Sequence, residues 1–454
     1  MPISKILVAN RSEIAIRVFR AANELGIKTV AIWAEEDKLA LHRFKADESY
    51  QVGRGPHLAR DLGPIESYLS IEEVIRVAKL SGADAIHPGY GFLSENAHFA
   101  EVCESIGVKF IGPTSENIAL MGDKAKAREI VSRRGLPVTP GSPGELKSEQ
   151  EAREAATKIG YPVIIKAAAG GGGRGMRVVN STDELGRAFQ AAQAEAKSTF
   201  GNDSVYLERY FLEPRHIEVQ IAADVRGHVV YLGERDCSIQ RRHQKLVEET
   251  PSPAVDEKLR REIGRVAVEA MKAVHYRNLG TVEFLLDKDR NFFFMEVNTR
   301  IQVEHPITEM VTGIDLIKEQ ITLADGQPLS FKQPDIRLNG HSLECRINAE
   351  DPEKFTPSPG LITRYSAPGG FGVRVDSAME SNALVVPHYD SMIAKLITHG
   401  RDRQEAMARM RRALDEFVIE GIKTTIPLHK RILTDPDFQK GHVSTTYLER
   451  FLAG

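Results

Sequence analysis

Two glutamates that face each other across a predicted hairpin are the first indication of chemistry in this chain of 454 residues. The β-type runs Thr281–Leu286 and Phe292–Asn298 flank a polar loop at 288–291, a pattern that predicts an antiparallel hairpin. A loop of these four residues pairs Asp287 with Phe292, and this register places Glu283 opposite Glu296, with their Cβ atoms about 5 Å apart. Like charges at that distance repel each other, whereas a Mg2+ ion between them would find the oxygen ligands it prefers. The pair is interpreted as a metal site, and two solvated glutamates on an exposed strand are the alternative.

A dense polar segment follows the hairpin. If that segment is extended, period-two alternation places Asn298, Arg300, Gln302 and Glu304 on one face. A guanidinium binds a small planar oxyanion through two hydrogen bonds, and a carboxylate beside it can accept the anion's proton. The segment therefore indicates a site for a small oxyanion.

A second polar run, Arg235–Lys245, has the sequence RDCSIQRRHQK and contains Arg241, Arg242, His243 and Lys245. Beside bound phosphates these side chains would clamp negative charge. On a solvated strand or loop they would simply face water. The spacing of the residues leaves both interpretations open.

Four successive glycines, Gly170–Gly173, lie between the predicted strands Tyr161–Ala167 and Met176–Val179. Glycine-rich backbone can bring its N–H groups close to an anion, and it can open and close. A Walker loop differs, because its GxxxxGK[ST] motif opens a helix. Lys166 before the loop and Arg174 within it favour a hairpin lid over phosphates, and a flexible surface turn is the alternative.

The elements that must position these side chains begin with an alternation of strands and helices. Short apolar runs alternate with helical patterns, the former at 5–10, 28–33, 85–87 and 108–111, the latter at 13–25, 72–80 and 99–106. Such alternation implies parallel βαβ units, so residues 1–113 are predicted to form a doubly wound α/β domain. Residues 114–137 are predicted as a helical connector, 138–210 as a small lid segment, and 211–454 as an α+β region.

Composition argues against several classes of protein. The net charge is −3, so no overall basic field favours nucleic acid or an anionic membrane. No apolar stretch approaches the roughly 18 residues that a membrane span requires. The 3 cysteines are far apart and odd in number, which argues against a disulfide framework or zinc site and fits a reducing compartment. We expect a cytoplasmic protein with no nucleic-acid or membrane partner.

Six motifs along the chain are longer and more specific than any single feature above. They are HPGYGFLSEN at 87–96, MGDK at 121–124, the glycine loop, RRHQK at 241–245, EVNTRIQVEH at 296–305 and ECRINAEDP at 344–352. In this order they resemble the biotin carboxylase family, of the ATP-grasp fold, over essentially the whole chain. The resemblance implies an N-terminal α/β domain, an ATP-grasp lid at 138–210 that is mobile, an ATP-grasp core at 211–330 and a C-terminal α+β domain at 331–454.

The resemblance also implies nucleotide and metal ligands. The residues implied for ATP are Lys124, Lys166, Gly171, Gly172 and Gly173 at the phosphates, Glu208 near the adenine, and His216 and His243 near the ribose and phosphates. The residues implied for the metal are Glu283, Glu296 and Asn298, in agreement with the hairpin argument. Two Mg2+ ions, or Mn2+ in their place, are expected.

Bicarbonate and biotin account for the remaining site residues that the resemblance implies. Lys245, Arg300, Gln302 and Val303 would surround bicarbonate, Glu304 would be its general base, Arg346 would stabilise the enolate-like ureido oxygen of biotin, and Tyr90 would line the biotin side. The implied reaction is an ATP-dependent ligation. Bicarbonate and ATP give carboxyphosphate, and its CO2 is then transferred to N1′ of biotin.

The expected partners follow from where the biotin would come from. The sequence AMKA at 270–273 lies within a helical pattern, whereas a biotinylated lysine needs an exposed hairpin tip, so biotin is expected on a separate carrier protein or domain. A carboxyltransferase component and a second copy of the chain are also expected. The final acceptor stays open among acetyl-CoA, propionyl-CoA, pyruvate and 2-oxoglutarate.

Two other functions remain as alternatives. A different ATP-grasp ligase would share the lid, the lysines and the metal pair, but it would not need RIQVEH together with ECRINAEDP. A catalytically silent ATP-binding protein would be favoured by loss of Glu304, Arg346 or a metal carboxylate, and all of these are present.

Overall fold

A computed structural model describes residues 2–168 and 176–453 of the chain. The strands are β1 Lys5–Val8, β2 Lys28–Trp33, β3 Glu48–Gln51, β4 Ala85–His87, β5 Lys109–Phe110, β6 Val163–Ala167, β7 Arg177–Val179, β8 Val205–Arg209, β9 Arg215–Ala223, β10 Val229–Arg241, β11 Gln244–Thr250, β12 Asn278–Leu286, β13 Phe292–Asn298, β14 His341–Asn348, β15 Gly360–Leu361, β16 Arg364–Ser366, β17 Val373–Ser377, β18 Leu384–Val385, β19 Met392–Gly400 and β20 Val418–Glu420. The α-helices are α1 Ser12–Glu24, α2 Pro64–Leu69, α3 Ile71–Ser81, α4 Ala97–Ser105, α5 Ser115–Gly122, α6 Lys124–Arg133, α7 Glu149–Ile159, α8 Thr182–Phe200, α9 Glu257–Ala273, α10 His305–Thr312, α11 Leu316–Ala324, α12 Arg403–Glu416, α13 Ile426–Thr434, α14 Pro436–Gln439 and α15 Tyr447–Ala453.

The N-terminal part is a parallel sheet with strand order β3-β2-β1-β4-β5. The strand order reverses beside β1, which is the arrangement of a doubly wound fold. The apolar central strands are buried on both faces, as parallel strands covered by helices are. The strand β3 was not predicted, because its sequence ESYQ has no apolar run and lies at the edge of the sheet. The prediction of parallel βαβ units is confirmed.

An eight-stranded sheet forms the centre of the molecule, with strand order β13-β12-β9-β10-β11-β14-β19-β17. Its odd-numbered β9 residues Ile217, Val219 and Ile221 pack into an apolar core with α9. The even-numbered residues of β9 therefore point to the opposite face, over which α10 packs against β10, β11, β14 and β19. The proposed boundary between 211–330 and 331–454 thus falls between strands of one continuous sheet.

The hairpin of β12 and β13 places Glu283 opposite Glu296, as predicted, but it reaches this register by a different route. The predicted loop requires Asp287 to pair with Phe292, whereas the structure pairs Leu286 with Phe292. Asp287 instead closes the turn, where its Oδ1 accepts the N–H groups of residues 289 and 291. An irregularity between Glu283 and Phe284 then adds one residue to β13 and restores the predicted pairing.

The lid segment contains a three-stranded sheet of order β7-β6-β8. Val163 pairs with Val179 in an antiparallel ladder, so the two strands that flank the glycines do form a hairpin. The glycines themselves, together with the predicted ligands Gly171, Gly172 and Gly173, lie outside the described residues. Within 2–168 and 176–453, no helix is both long and apolar enough to cross a bilayer.

Phe284 supports the strand that presents Glu283, and its removal should destabilise the fold. Its ring is fully buried and makes edge contacts with Phe292 and Phe294. Phe284→Ala should lower the free energy of unfolding by about 3–5 kcal/mol, because it leaves a cavity in a close-packed core. Leu39→Ala, at an 80% exposed position, should change it by less than about 0.5 kcal/mol. Urea unfolding followed by circular dichroism measures both, and equal midpoints for the two variants would contradict this account.

Candidate active site

A row of charged residues crosses four adjacent strands of the large sheet. Glu296 lies opposite Glu283, Glu283 opposite Glu218, and Glu218 opposite Arg235. Three carboxylates in adjacent ladder positions repel one another, and Glu218 and Glu283 are buried. The row can exist only because cations are placed on it.

Lys245 is the cation shared by this row. It extends from β11, and its Nζ lies 2.6 Å from Glu218, 3.2 Å from Glu283 and 2.7 Å from Glu304. Burial disfavours its charge, but these carboxylates outweigh burial and raise the pKa of Lys245 well above its usual value. Lys245 is therefore a permanent cation at the centre of the site.

His216 and Arg235 supply further positive charge on the row. His216 Nε2 lies 3.0 Å from Glu283, and although burial lowers the pKa of the imidazole, Glu283 raises it overall. Arg235 is completely buried and donates to Glu218, to Gln220 and to Thr308 of α10. It anchors α10 to the sheet.

Glu304 is the N-cap residue of α10, so its carboxylate lies at the positive end of the helix dipole. Its Oε2 accepts a hydrogen bond from Arg346 at 2.9 Å, while its Oε1 faces Lys245. Burial alone would raise the pKa of Glu304, but Lys245, Arg346 and Arg235 hold it well below its usual range. Glu304 is thus an ionised, fully buried carboxylate between two cations.

The oxyanion segment is organised around Arg300. Its guanidinium donates to Glu95, to Gln302 Oε1 at 2.8 Å and to Asn298 Oδ1 at 3.1 Å. Asn298 in turn donates to Glu283 at 2.8 Å. Among the residues that the structure describes, Gln302 Nε2 is buried without a hydrogen-bond partner, so the amide that contacts Arg300 keeps one donor for a ligand.

The nucleotide residues implied by the resemblance form two smaller groups. Lys124 at the start of α6 forms an ion pair with Glu296, which brings a predicted phosphate ligand to a predicted metal ligand. Lys166 forms an ion pair with Glu208, which also contacts Arg128. His243 occupies the turn between β10 and β11 with a positive φ of 67°. Burial, and then the charge of Lys166, lower the pKa of His243.

Lys395 connects the last two predicted residues, Val303 and Tyr90. Its Nζ donates to the carbonyl oxygen of Val303 at 2.9 Å and lies 3.2 Å from Glu13. The Tyr90 hydroxyl donates to that same glutamate. Arg241, from the basic run, stacks on Phe355 instead of facing the carboxylate row.

Several residues of this site were not predicted as ligands from the sequence. They are Glu13, Glu95, Arg128, Glu218, Arg235, Glu248 and Lys395. A signal existed for some of them. His216, Glu218 and Gln220 alternate with apolar residues in β9, and Lys395 stands alone in the apolar run MIAKLI. A lone charge in a buried strand requires a partner, but the sequence does not say which partner it has.

Comparisons with known proteins agree with this geometry. Family models described as the biotin carboxylase N-terminal domain, the carbamoyl-phosphate synthase L chain ATP binding domain and the biotin carboxylase C-terminal domain match residues 2–118, 123–332 and 344–450. The chain is 54% identical over 451 residues to biotin carboxylase 1 of Bacillus subtilis, with 99% of each chain covered. It is 53% identical to a pyruvate carboxylase subunit from Methanothermobacter thermautotrophicus, covering 99% of this chain and 90% of that one.

A solved structure shows the same fold. The biotin carboxylase domain dimer of the Hydrogenobacter thermophilus 2-oxoglutarate carboxylase, in complex with MgADP, ADP and bicarbonate, superimposes with a TM-score of 0.94 at 50% identity, covering 99% of this chain and 98% of that chain. The predicted combination of an N-terminal α/β domain, an ATP-grasp domain and a C-terminal α+β domain is confirmed by these matches. The boundaries and residue roles assigned from the sequence stay predictions. The chain belongs to the biotin carboxylase family.

Proposed function

We propose that this chain uses ATP and bicarbonate to carboxylate N1′ of biotin on a separate carrier. One observation carries the proposal. The ionised carboxylate of Glu304 lies between Lys245 and Arg346, with the unpartnered Gln302 amide two residues before it. This arrangement offers a base in contact with two cations, with a hydrogen-bond donor two residues away in sequence, as the chemistry of bicarbonate requires.

The first step is attack of bicarbonate on the γ-phosphorus of ATP. Glu304 takes the proton of bicarbonate, an oxygen of the resulting carbonate forms a bond to phosphorus, and the bond from phosphorus to ADP breaks. A low pKa would make Glu304 a weak base in isolation. Lys245 and Arg346, however, lower the pKa of an anion bound beside them by the same electrostatic attraction, so the proton transfer stays feasible.

The nucleotide would be held by the two smaller groups of the site. Lys124 and Lys166 would leave their carboxylate partners to bind phosphate oxygens, and the loop that contains Gly171, Gly172 and Gly173 would close above them. Glu283, Glu296 and Asn298 present the oxygen donors that fit Mg2+. When bound, the metal neutralises charge on the transferring phosphoryl group.

The second step is transfer of CO2 to biotin. Carboxyphosphate breaks into CO2 and phosphate, the phosphate takes the N1′ proton, and N1′ forms a bond to CO2. Arg346 would stabilise the negative charge on the ureido oxygen. Its Nε donates to Glu248 and one Nη donates to Glu304. Among the described residues the other Nη has no hydrogen-bond partner, which leaves it for biotin. Tyr90 and Lys395 would form the wall on that side.

The proposed partners are a biotin carrier protein or domain and a carboxyltransferase component, with a second copy of the chain completing a homodimer. Support comes from relatives, because one similar solved structure is described as a dimer of biotin carboxylase domains and one relative as part of a pyruvate carboxylase. A cytoplasmic location stays a prediction from the sequence.

Removal of the base should abolish the reaction at its first step. Glu304→Gln keeps the shape of the side chain but loses the proton acceptor, so bicarbonate-dependent ADP release should fall by about 10²–10⁴-fold. ADP release is measured with MgATP and bicarbonate, with and without free biotin. Glu416→Gln, an exposed carboxylate on α12, is the control and should match the wild type. Activity that is indifferent to biotin, or that requires an amine, would instead indicate a different ATP-grasp ligase.

Loss of a metal ligand should appear first as an increased requirement for Mg2+. Glu296→Gln should raise the Mg2+ concentration that gives the half-maximal rate by at least about 10–100-fold. Loss of a residue that only supports a metal ligand already lowers metal affinity by that factor, so loss of a direct ligand should lower it at least as much. The rate of ADP release is measured across a Mg2+ titration at fixed ATP. Glu129→Gln, on the exposed face of α6, provides the control. An unchanged Mg2+ requirement would exclude Glu296 as a ligand.

A further inference from the structure

Two glutamates behind Arg346 are placed directly against each other. Glu248 on β11 pairs with Glu344 on β14 in the antiparallel ladder, so their Cβ atoms lie about 5 Å apart on the same face. Both residues are completely buried. Two ionised carboxylates in this position would repel each other strongly, because the interior offers little screening.

The oxygen atoms of the pair differ in their partners. Oε1 of Glu248 accepts a hydrogen bond from Nε of Arg346 at 2.6 Å. Oε2 of Glu248 and both oxygens of Glu344 are buried without a hydrogen-bond partner among the residues that the structure describes. A buried polar atom without a partner is costly, and an ionised carboxylate without one is far costlier.

The cations nearby are already committed to other anions. Lys395 binds Glu13 and the Val303 carbonyl, Lys245 binds the carboxylate row, and Arg346 divides its guanidinium between Glu248 and Glu304. The charged and titratable groups that interact with the pair are Lys245 of β11, Arg346 and Cys345 of β14, Lys395 of β19, Cys237 of β10, Glu304 at the start of α10, and Tyr90. None of the described cations forms an ion pair with Glu344.

We propose that Glu248 and Glu344 share a single proton, carried by Glu344, and that Glu344 is a positioning residue for Arg346. As a neutral acid, Glu344 donates its O–H to Oε2 of Glu248, which satisfies two of the three unpartnered oxygens. Glu248 stays an anion and holds Arg346 by its Nε. The part of this inference that concerns biotin rests on the function proposed for Arg346, whereas the shared proton does not.

The electrostatics agree with this assignment. Burial raises the pKa of both groups. The pKa of Glu248 rises to about 7, because Arg346 opposes the effect of burial, and the pKa of Glu344 rises well above its usual range. Of the two, Glu344 therefore holds its proton more tightly, keeps it at neutral pH and loses it as the pH rises. Its loss would leave two opposed anions competing for Arg346, and would draw the guanidinium away from the biotin side.

The protonation state can be measured without any substrate. Infrared difference spectra of the wild-type protein between neutral and alkaline pH should contain the carbonyl band of a buried carboxylic acid. Glu344→Gln, an isostere of the protonated side chain, should lose the part of that band that Glu344 contributes, whereas any contribution of Glu13 or Glu234, whose pKa values burial also raises, should remain. Glu249→Gln is the matched control on the same strand as Glu248. Glu249 is also buried. Burial raises its pKa, but His341 and Arg403 outweigh burial and lower the pKa to about 2, so replacement of Glu249 should leave the band in place.

The absence of such a band in the wild type, or a band of undiminished intensity in Glu344→Gln, would overturn the shared proton. The wild-type titration decides this even if a variant fails to fold. A carboxylate pair bridged by a cation would be recognised in the same spectra, because it has no carboxylic acid band, and it would also overturn the proposal.

The positioning role is tested by the pH profile of biotin carboxylation. In the wild type, kcat/KM for biotin should fall on the alkaline side as the pair loses its proton, whereas Glu344→Gln should keep its rate there and lose less than about tenfold at neutral pH. KM for ATP should be unchanged in both.

A variant that keeps the wild-type alkaline decline, or that loses biotin turnover at every pH, would overturn the positioning role. If the wild type has no biotin-dependent activity, the proposed function fails, and the infrared result still decides the shared proton.

Discussion

Repulsion between buried carboxylates is the interaction on which the rest of this site depends. Glu296, Glu283 and Glu218 occupy adjacent ladder positions, an arrangement that a sheet chosen for stability alone would avoid. The fold tolerates it because Lys245 and Arg235 converge on the row from neighbouring strands. Arg235 is completely buried and the Lys245 side chain is 12% exposed, and each contacts several acceptors, so their positions on the row are fixed by more than one interaction. Excess negative charge beside fixed cations is also what a metal–phosphate site requires.

The second constraint is that one sheet serves two parts of the chain. The carboxylate row lies on strands of the ATP-binding segment, whereas Arg346 and Lys395 lie on β14 and β19, which follow much later in sequence. The helix α10 spans the junction and places Glu304 where both groups of cations reach it. In the proposed reaction, the nucleotide step and the biotin step would therefore meet at one carboxylate, and a reactive intermediate would have only a short distance to travel between them.

Much of the architecture could be predicted, because its signals are local. Apolar runs, helical periodicity and a glycine loop between strands identified the α/β domain and the lid segment. The pairing of Glu283 with Glu296 was predicted from an assumed loop of four residues. It held only because the loop is one residue longer and an added residue in β13 compensates for that difference. Such an irregularity has no local signature. The edge strand β3 was missed because its polar sequence does not look like a strand.

The sequence by itself determined which reactive side chains this protein has, since its motifs contain carboxylates, lysines, arginines and an amide in a specific order. Only the tertiary structure decided which of them meet. The contacts between Lys245 and Glu218, between Arg300 and Glu95, and between Glu248 and Glu344 join residues from different strands or domains. Their pairing depends on sheet order and register, which are set by packing of the whole chain and not by the spacing of the residues along it. Whether a buried carboxyl is an anion or an acid follows from those neighbours alone.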